Sequence, residues 1–110
     1  MDYRFRFWLI KNDKKVFGEG PQMLLKKVEE LGSLRQAALS MGMSYSKAWK
    51  VIKQIEAELQ IKLLERTIGG KTGGGSTITS EAKDFIQKYE AIMASIDKKI
   101  NEEIKRYFMI

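Results

Sequence analysis

The sequence predicts an α+β fold, mainly helical, and three observations carry that expectation. Between residues 21 and 59, apolar residues recur at helical spacing in three short blocks separated by Gly or Ser. Two strand-like runs then flank a glycine-rich tip, Gly69-Gly70-Lys71-Thr72-Gly73-Gly74-Gly75. A last block from about residue 80 to 108 carries one long apolar stripe on an otherwise charged helix.

The chain opens with Tyr3-Arg4-Phe5-Arg6-Phe7-Trp8-Leu9-Ile10, in which Tyr3, Phe5, Phe7 and Leu9 share one face and Arg4 and Arg6 the other. That period of two predicts a strand. Asn12-Asp13 suits a turn to a short return strand around Lys15-Val16-Phe17, giving an N-terminal β-hairpin. Pro21 suits the start of a first helix, because its missing N–H is no loss there. Leu24, Leu25, Val28 and Leu31 lie along its inner face, and Gly32 stops it. Ser33 can cap a second helix, with Leu34, Ala37, Ala38 and Met41 inward and an end at Gly42. Ser44 can cap a third, reaching about Leu59.

The second and third helices have the spacing of a helix-turn-helix: Ala37 and Ala38 allow close approach, Gly42 makes the turn, and Ala48 and Val51 return to the core. Ile61 to Ile68 and Ser76 to Thr79 then read as the strands of a wing around the glycine tip. Thr79 or Ser80 can cap a final helix carrying Ala82, Phe85, Ile86, Tyr89, Ile92, Met93, Ile96, Ile100 and Ile104. At 1.5 Å per residue it would be roughly 40 Å long, more than a small body can cover. The expected division is a winged helix-turn-helix with its hairpin over 1–79 and a dimerisation helix over 80–110. In the second part Phe85, Tyr89, Ile92, Ile96 and Ile100 are the candidate seam of a homodimer, and part of the stripe is expected to pack instead against the first helix and the N-terminal hairpin.

Composition narrows the function. The 110 residues contain no Cys and no His, which removes disulfides, thiol chemistry, imidazole catalysis and ordinary zinc sites. No carboxylates pair as acid and base: Glu56 and Glu58 point to different sides of one helix, and Glu102 and Glu103 lie on a solvated face. Gly70-Lys71-Thr72 is not a phosphate-binding loop, since that motif needs Gly five positions before Gly70 and Glu65 stands there. An enzyme is not expected, nor a cofactor. The longest apolar run, Phe7 to Ile10, is far short of a membrane span of about 20 residues, and no signal peptide is visible, so a cytoplasmic location is expected.

The formal charge is +6, and it is unevenly spread. Residues 1–20 carry +2, 21–43 +1, 44–72 +3, and 73–110 none. A basic body with a neutral tail suits a polyanion on the body and a protein on the tail. On a helical wheel Ala48, Val51, Ile52, Ile55 and Leu59 gather on one side of the third helix, with Ser46, Lys50, Lys53 and Ala57 opposite. Hydroxyls and lysines near a helix start suit phosphates and the acceptors of the major groove. The candidate contacts with double-stranded DNA are Arg35, Ser44, Tyr45, Ser46, Lys47, Trp49, Lys50 and Lys53, with Arg66 and Lys71 on the wing. Each lysine alone also fits a merely solvated face, and Trp49, at its edge, is expected to pack against the wing. The competing function is a winged-helix module whose partner is a separate sensor protein.

Ser33-Leu34-Arg35-Gln36-Ala37-Ala38, Ser44-Tyr45-Ser46-Lys47-Ala48-Trp49, Leu64-Glu65-Arg66 and the Gly69 to Gly75 tip resemble the DNA-binding domain of the molybdate-responsive ModE-type regulators. The likeness runs from about Lys15 into the long helix, and its Ala-Ala and Leu-x-Glu-Arg pieces are shared with the broader LysR-type group. It implies a winged helix-turn-helix that dimerises through helices and binds operator DNA. In that family molybdate is held by a C-terminal oxyanion-binding domain. The chain stops before such a domain, or a LysR-type effector domain, could begin, so a stand-alone regulator is expected and molybdate binding in these residues is not.

Overall fold

A computed structural model describes residues 1–67 and 75–109. The element order is β1 (Leu9–Lys11), β2 (Lys14–Phe17), α1 (Glu19–Leu31), α2 (Leu34–Ser40), α3 (Tyr45–Leu59), β3 (Leu64–Thr67), β4 (Gly75–Ile78) and α4 (Ser80–Phe108). The predicted α+β, mainly helical fold is present, with two separate two-stranded antiparallel sheets.

Side-chain caps start three of the four helices. Ser33 accepts the Gln36 N–H at 3.1 Å, Ser44 the Lys47 N–H at 3.1 Å and Thr79 the Ala82 N–H at 3.0 Å, each satisfying a donor that has no partner within its helix. α1 begins at Glu19, two residues before the expected Pro21. Pro21 thus falls within the first turn, where a missing N–H is equally harmless. Gly32 closes α1 at φ 70°, a left-handed geometry that glycine adopts without strain.

The core joins Val16 and Phe17 of the hairpin, Leu24, Leu25 and Val28 of α1, Leu34, Ala37 and Ala38 of α2, Ala48, Ile52 and Ile55 of α3, Leu63 and Ile78 of the wing, and Ala82, Ile86 and Tyr89 of α4. Leu31, expected inward, is exposed: it is the last residue of its helix, beyond the reach of the packed face.

The N-terminal strand is shorter than predicted. Residues 3–8 keep the alternating exposure, but only Leu9–Lys11 pair with β2. β2 has four residues, so among the described residues no strand lies beside Tyr3 to Trp8. Those residues are held instead against α4. The Phe7 ring stacks on Tyr89 at 5.7 Å, Tyr89 Oη donates to the Phe7 carbonyl at 2.6 Å, and the Tyr3 hydroxyl donates to Asp97. Asn12 and Asp13 both take positive φ, the geometry of a two-residue hairpin turn. From that hairpin Lys11 Nζ donates to the Glu58 carbonyl at 2.7 Å, a cation on the last turn of α3.

Phe17 meets both Phe85 and Tyr89 edge-on, at 4.9 and 5.0 Å. Tyr89 is 1% exposed, which corrects its assignment to a dimer seam: its ring is used within its own chain. Burial, and next the nearby Glu19 carboxylate, hold its phenol pKa above the ordinary value. Phe85 is half-buried against the same cluster. Met93 is the last residue of α4 packed on the core, and beyond it Tyr3 still reaches Asp97; the molecule measures 57 × 30 × 24 Å. Ile92 is exposed, and Ile96, Ile100 and Ile104 are half-buried.

Replacing Tyr89 with Phe keeps the ring packing and deletes the bond to Phe7. A loss of about 0.5–1.5 kcal/mol in denaturant unfolding is expected, with faster amide exchange near Phe7; unchanged stability and exchange would show that the bond does not hold this segment.

Candidate nucleic-acid interface

Three apolar residues orient α3. Ala48, Ile52 and Ile55 are buried, so the helical period turns Ser46, Lys50, Lys53 and Ala57 to the surface, as predicted. Ser44, Lys47, Arg35 and Arg66 are exposed as well. The turn that delivers this helix is compact. Met43 N–H donates to the Ala38 carbonyl at 3.0 Å, and Gly42 takes φ 68° between them.

Tyr45 is half-buried, and the Arg35 guanidinium lies 4.5 Å from its ring centroid. That stacking joins α2 to the start of α3 and fixes where the Arg35 charge sits. Trp49 is 46% exposed, and the Lys53 ammonium lies 5.5 Å from its ring. About half of its surface is thus open to solvent, at the edge of the face that carries the lysines. Among the described residues, Arg35, Lys47, Lys50 and Arg66 have no carboxylate within 4 Å. Their charges are therefore free for a polyanion.

The wing stands beside this face. β3 and β4 pair from Leu64↔Ile78 to Thr67↔Gly75, which places Arg66 opposite Ser76. Pairing starts at Leu64 rather than Ile61, because Lys62 and Leu63 have other bonds. Thr79 Oγ1 donates to the Lys62 carbonyl at 2.6 Å, Thr79 N–H to the Leu63 carbonyl at 3.0 Å, and Leu63 N–H to Glu56 Oε2 at 2.7 Å. The other end of the wing rests on α1: Ser76 N–H donates to the Gly32 carbonyl at 2.9 Å, and a Cβ on Gly75 would lie 2.4 Å from that same oxygen. Lys71 and the rest of the tip, residues 68–74, lie outside the described residues.

Glu56 is the residue that sequence reasoning missed. Its side chain is 14% exposed, with Oε1 at 3.2 Å from Lys53 Nζ and Oε2 on Leu63. The i, i+3 spacing to Lys53 was a visible signal. The bond to Leu63 was not, since it depends on the chain reversing at Gln60, which caps α3 at φ 56°.

No helix among the described residues is long and apolar enough to cross a membrane. Comparison with known proteins shows the family of the chain. Residues 23–83, more than half of the chain, match the model of a bacterial regulatory helix-turn-helix protein, lysR family. The transcriptional regulator ModE of Yersinia pestis is 33% identical over 97 residues, 87% of this chain and 36% of that protein. The DNA-binding transcriptional dual regulator ModE of Escherichia coli is 35% identical over 91 residues, 82% of this chain and 34% of that protein. The chain thus spans about a third of the length of these relatives. Among solved structures, the CbnR DNA-binding domain in complex with DNA superposes with a TM-score of 0.57 at 20% identity, covering 76% of this chain and 91% of that one. ArgP from Mycobacterium tuberculosis gives 0.52 at 25% identity, covering 79% and 31%.

Two substitutions test how the site is held. Ser44→Ala removes the cap of α3 and should lower stability by about 0.5–2 kcal/mol. Gly75→Ala drives a Cβ into a backbone oxygen and should cost about 1–3 kcal/mol. Both are read by thermal or denaturant unfolding; a neutral Gly75→Ala would mean that the wing does not rest on α1 as described.

Proposed function

The chain belongs to the LysR-type family of bacterial regulatory helix-turn-helix proteins, and from that premise we propose that it regulates transcription by sequence-specific binding to double-stranded DNA. The observation that carries this reading is the exposed row of Ser46, Lys50 and Lys53 on a capped helix, next to a hairpin carrying Arg66. α3 enters the major groove with its N-terminal half. Ser44 and Ser46 supply hydroxyls, Lys47 and Lys50 supply cations, and Trp49 offers an apolar edge to base methyl groups. Arg35, fixed by Tyr45, and Arg66, with Lys71 on the wing, meet the backbone and set the register.

The neutral outer half of α4 serves a different partner. Ile92, Ile96 and Ile100 bury themselves in a second copy of the chain, which places two recognition helices on half-sites about one helical turn apart. The protein works in the cytoplasm, and its chemistry is binding rather than catalysis.

Titration of a labelled duplex, selected by the protein from a random-sequence library, tests the function directly. Saturable binding is expected, weakening steeply with salt because each neutralised phosphate contributes a slope of about 0.9 in log K against log salt. The double variant Lys50→Ala, Lys53→Ala should bind more weakly with a flatter slope; unchanged affinity and slope together would remove both lysines from the interface. For the dimer, Ile92→Asp with Ile100→Asp should weaken self-association at least tenfold in analytical ultracentrifugation, since each buried side chain contributes about 1.5–3 kcal/mol. Unaltered association would place the subunit contact elsewhere.

A further inference from the structure

Glu56 places a negative charge on the proposed recognition helix, one turn from Lys53 and next to the root of the wing. Its two oxygens do different things. Oε2 accepts the Leu63 N–H at 2.7 Å, and Leu63, which is fully buried, is tied through its carbonyl to Thr79 at the head of α4. Oε1 holds the Lys53 ammonium at 3.2 Å, while the same ammonium lies over Trp49. Lys53 is therefore drawn to a defined place on the outward face instead of sweeping the surface on its four-carbon stem. Part of its charge is also answered within the protein.

Resting on the DNA-binding reading, we propose that Glu56 is a positioning residue that sets sequence discrimination: it couples the attitude of the wing to the place of Lys53 and withholds that lysine's charge from indiscriminate phosphate attraction. A lysine pinned beside a carboxylate gains little from a phosphate wherever one happens to pass. It gains most where a groove acceptor meets it in its held position. Lys50, with no carboxylate within 4 Å among the described residues, behaves as an ordinary phosphate cation instead.

The test is Glu56→Gln, whose amide oxygen can still accept the Leu63 N–H while its charge is gone. Binding is measured from low to moderate salt on two duplexes: one selected by the wild-type protein from a random library, and the same bases scrambled. Glu56→Gln should tighten binding to the scrambled duplex several-fold and steepen its salt slope by up to about 0.9 per chain. The preference for the selected duplex should fall at least fivefold. Repeating the exchange in a Lys53→Met background separates positioning from support, because the gain in slope should then vanish. A change of the same size with Lys53 absent would mean that Glu56 only braces the wing, and would overturn the proposal. Unchanged preference and slope in Glu56→Gln would overturn it too. A second comparison needs no change at Glu56: Lys53→Met should cost preference with little change in slope, and Lys50→Met the reverse; equal losses of slope would contradict the proposal. If the wild-type protein itself selects no duplex, the DNA-binding reading fails, an outcome distinct from any of these.

Discussion

Burial of Ala48, Ile52 and Ile55 is the constraint on which the rest depends. Once these three face the core, a helix of 3.6 residues per turn has no choice about Ser46, Lys50 and Lys53. Everything else in the body serves to hold that helix at a fixed attitude. The turn at Gly42 sets its start, Lys11 from the hairpin meets its last turn, and Glu56 ties its flank to the wing. The energy is hydrophobic, but the aim comes from a handful of directed polar bonds.

α4 divides between two tasks along its length. Its first three turns complete the core through Ala82, Ile86 and Tyr89, and the N-terminal segment runs along it, from Phe7 on Tyr89 to Tyr3 on Asp97. The remainder carries apolar residues at helical spacing, and among the described residues Tyr3, bonded to Asp97, reaches it beyond Met93. Ion pairs such as Lys26 to Glu90 join α4 to α1 at the surface, where exposed pairs contribute little. The aromatic group of Phe7, Phe17, Phe85 and Tyr89 is the firmer joint, because those rings are removed from water together.

Much of this was legible in the sequence wherever the governing physics is local. Ser33, Ser44 and Thr79 act as caps because a hydroxyl needs only its own next three residues to do so. The two faces of α3 follow from periodicity alone. What could not be read depends on contacts distant along the chain. The alternation in Tyr3 to Trp8 is real, yet whether a strand or a helix covers such a segment is decided 82 residues beyond Phe7, at Tyr89. That the stripe of α4 would be shared between the body and a partner was legible, but not where it divides: Tyr89 is consumed internally while Ile92 is left outside. Glu56 read only as an acid unpaired with Glu58, because its partner Leu63 approaches only after the reversal at Gln60.

The most direct measurement is an amide NMR titration of the labelled protein with a duplex it has selected. Shifts concentrated at Ser44 to Lys53, Arg35 and the wing strands, with the N-terminal segment and the first turns of α4 quiet, are expected. Perturbations gathered instead on the outer face of α4 or along Tyr3 to Trp8, with α3 unmoved, would contradict a recognition role for the helix that Ala48, Ile52 and Ile55 hold in place.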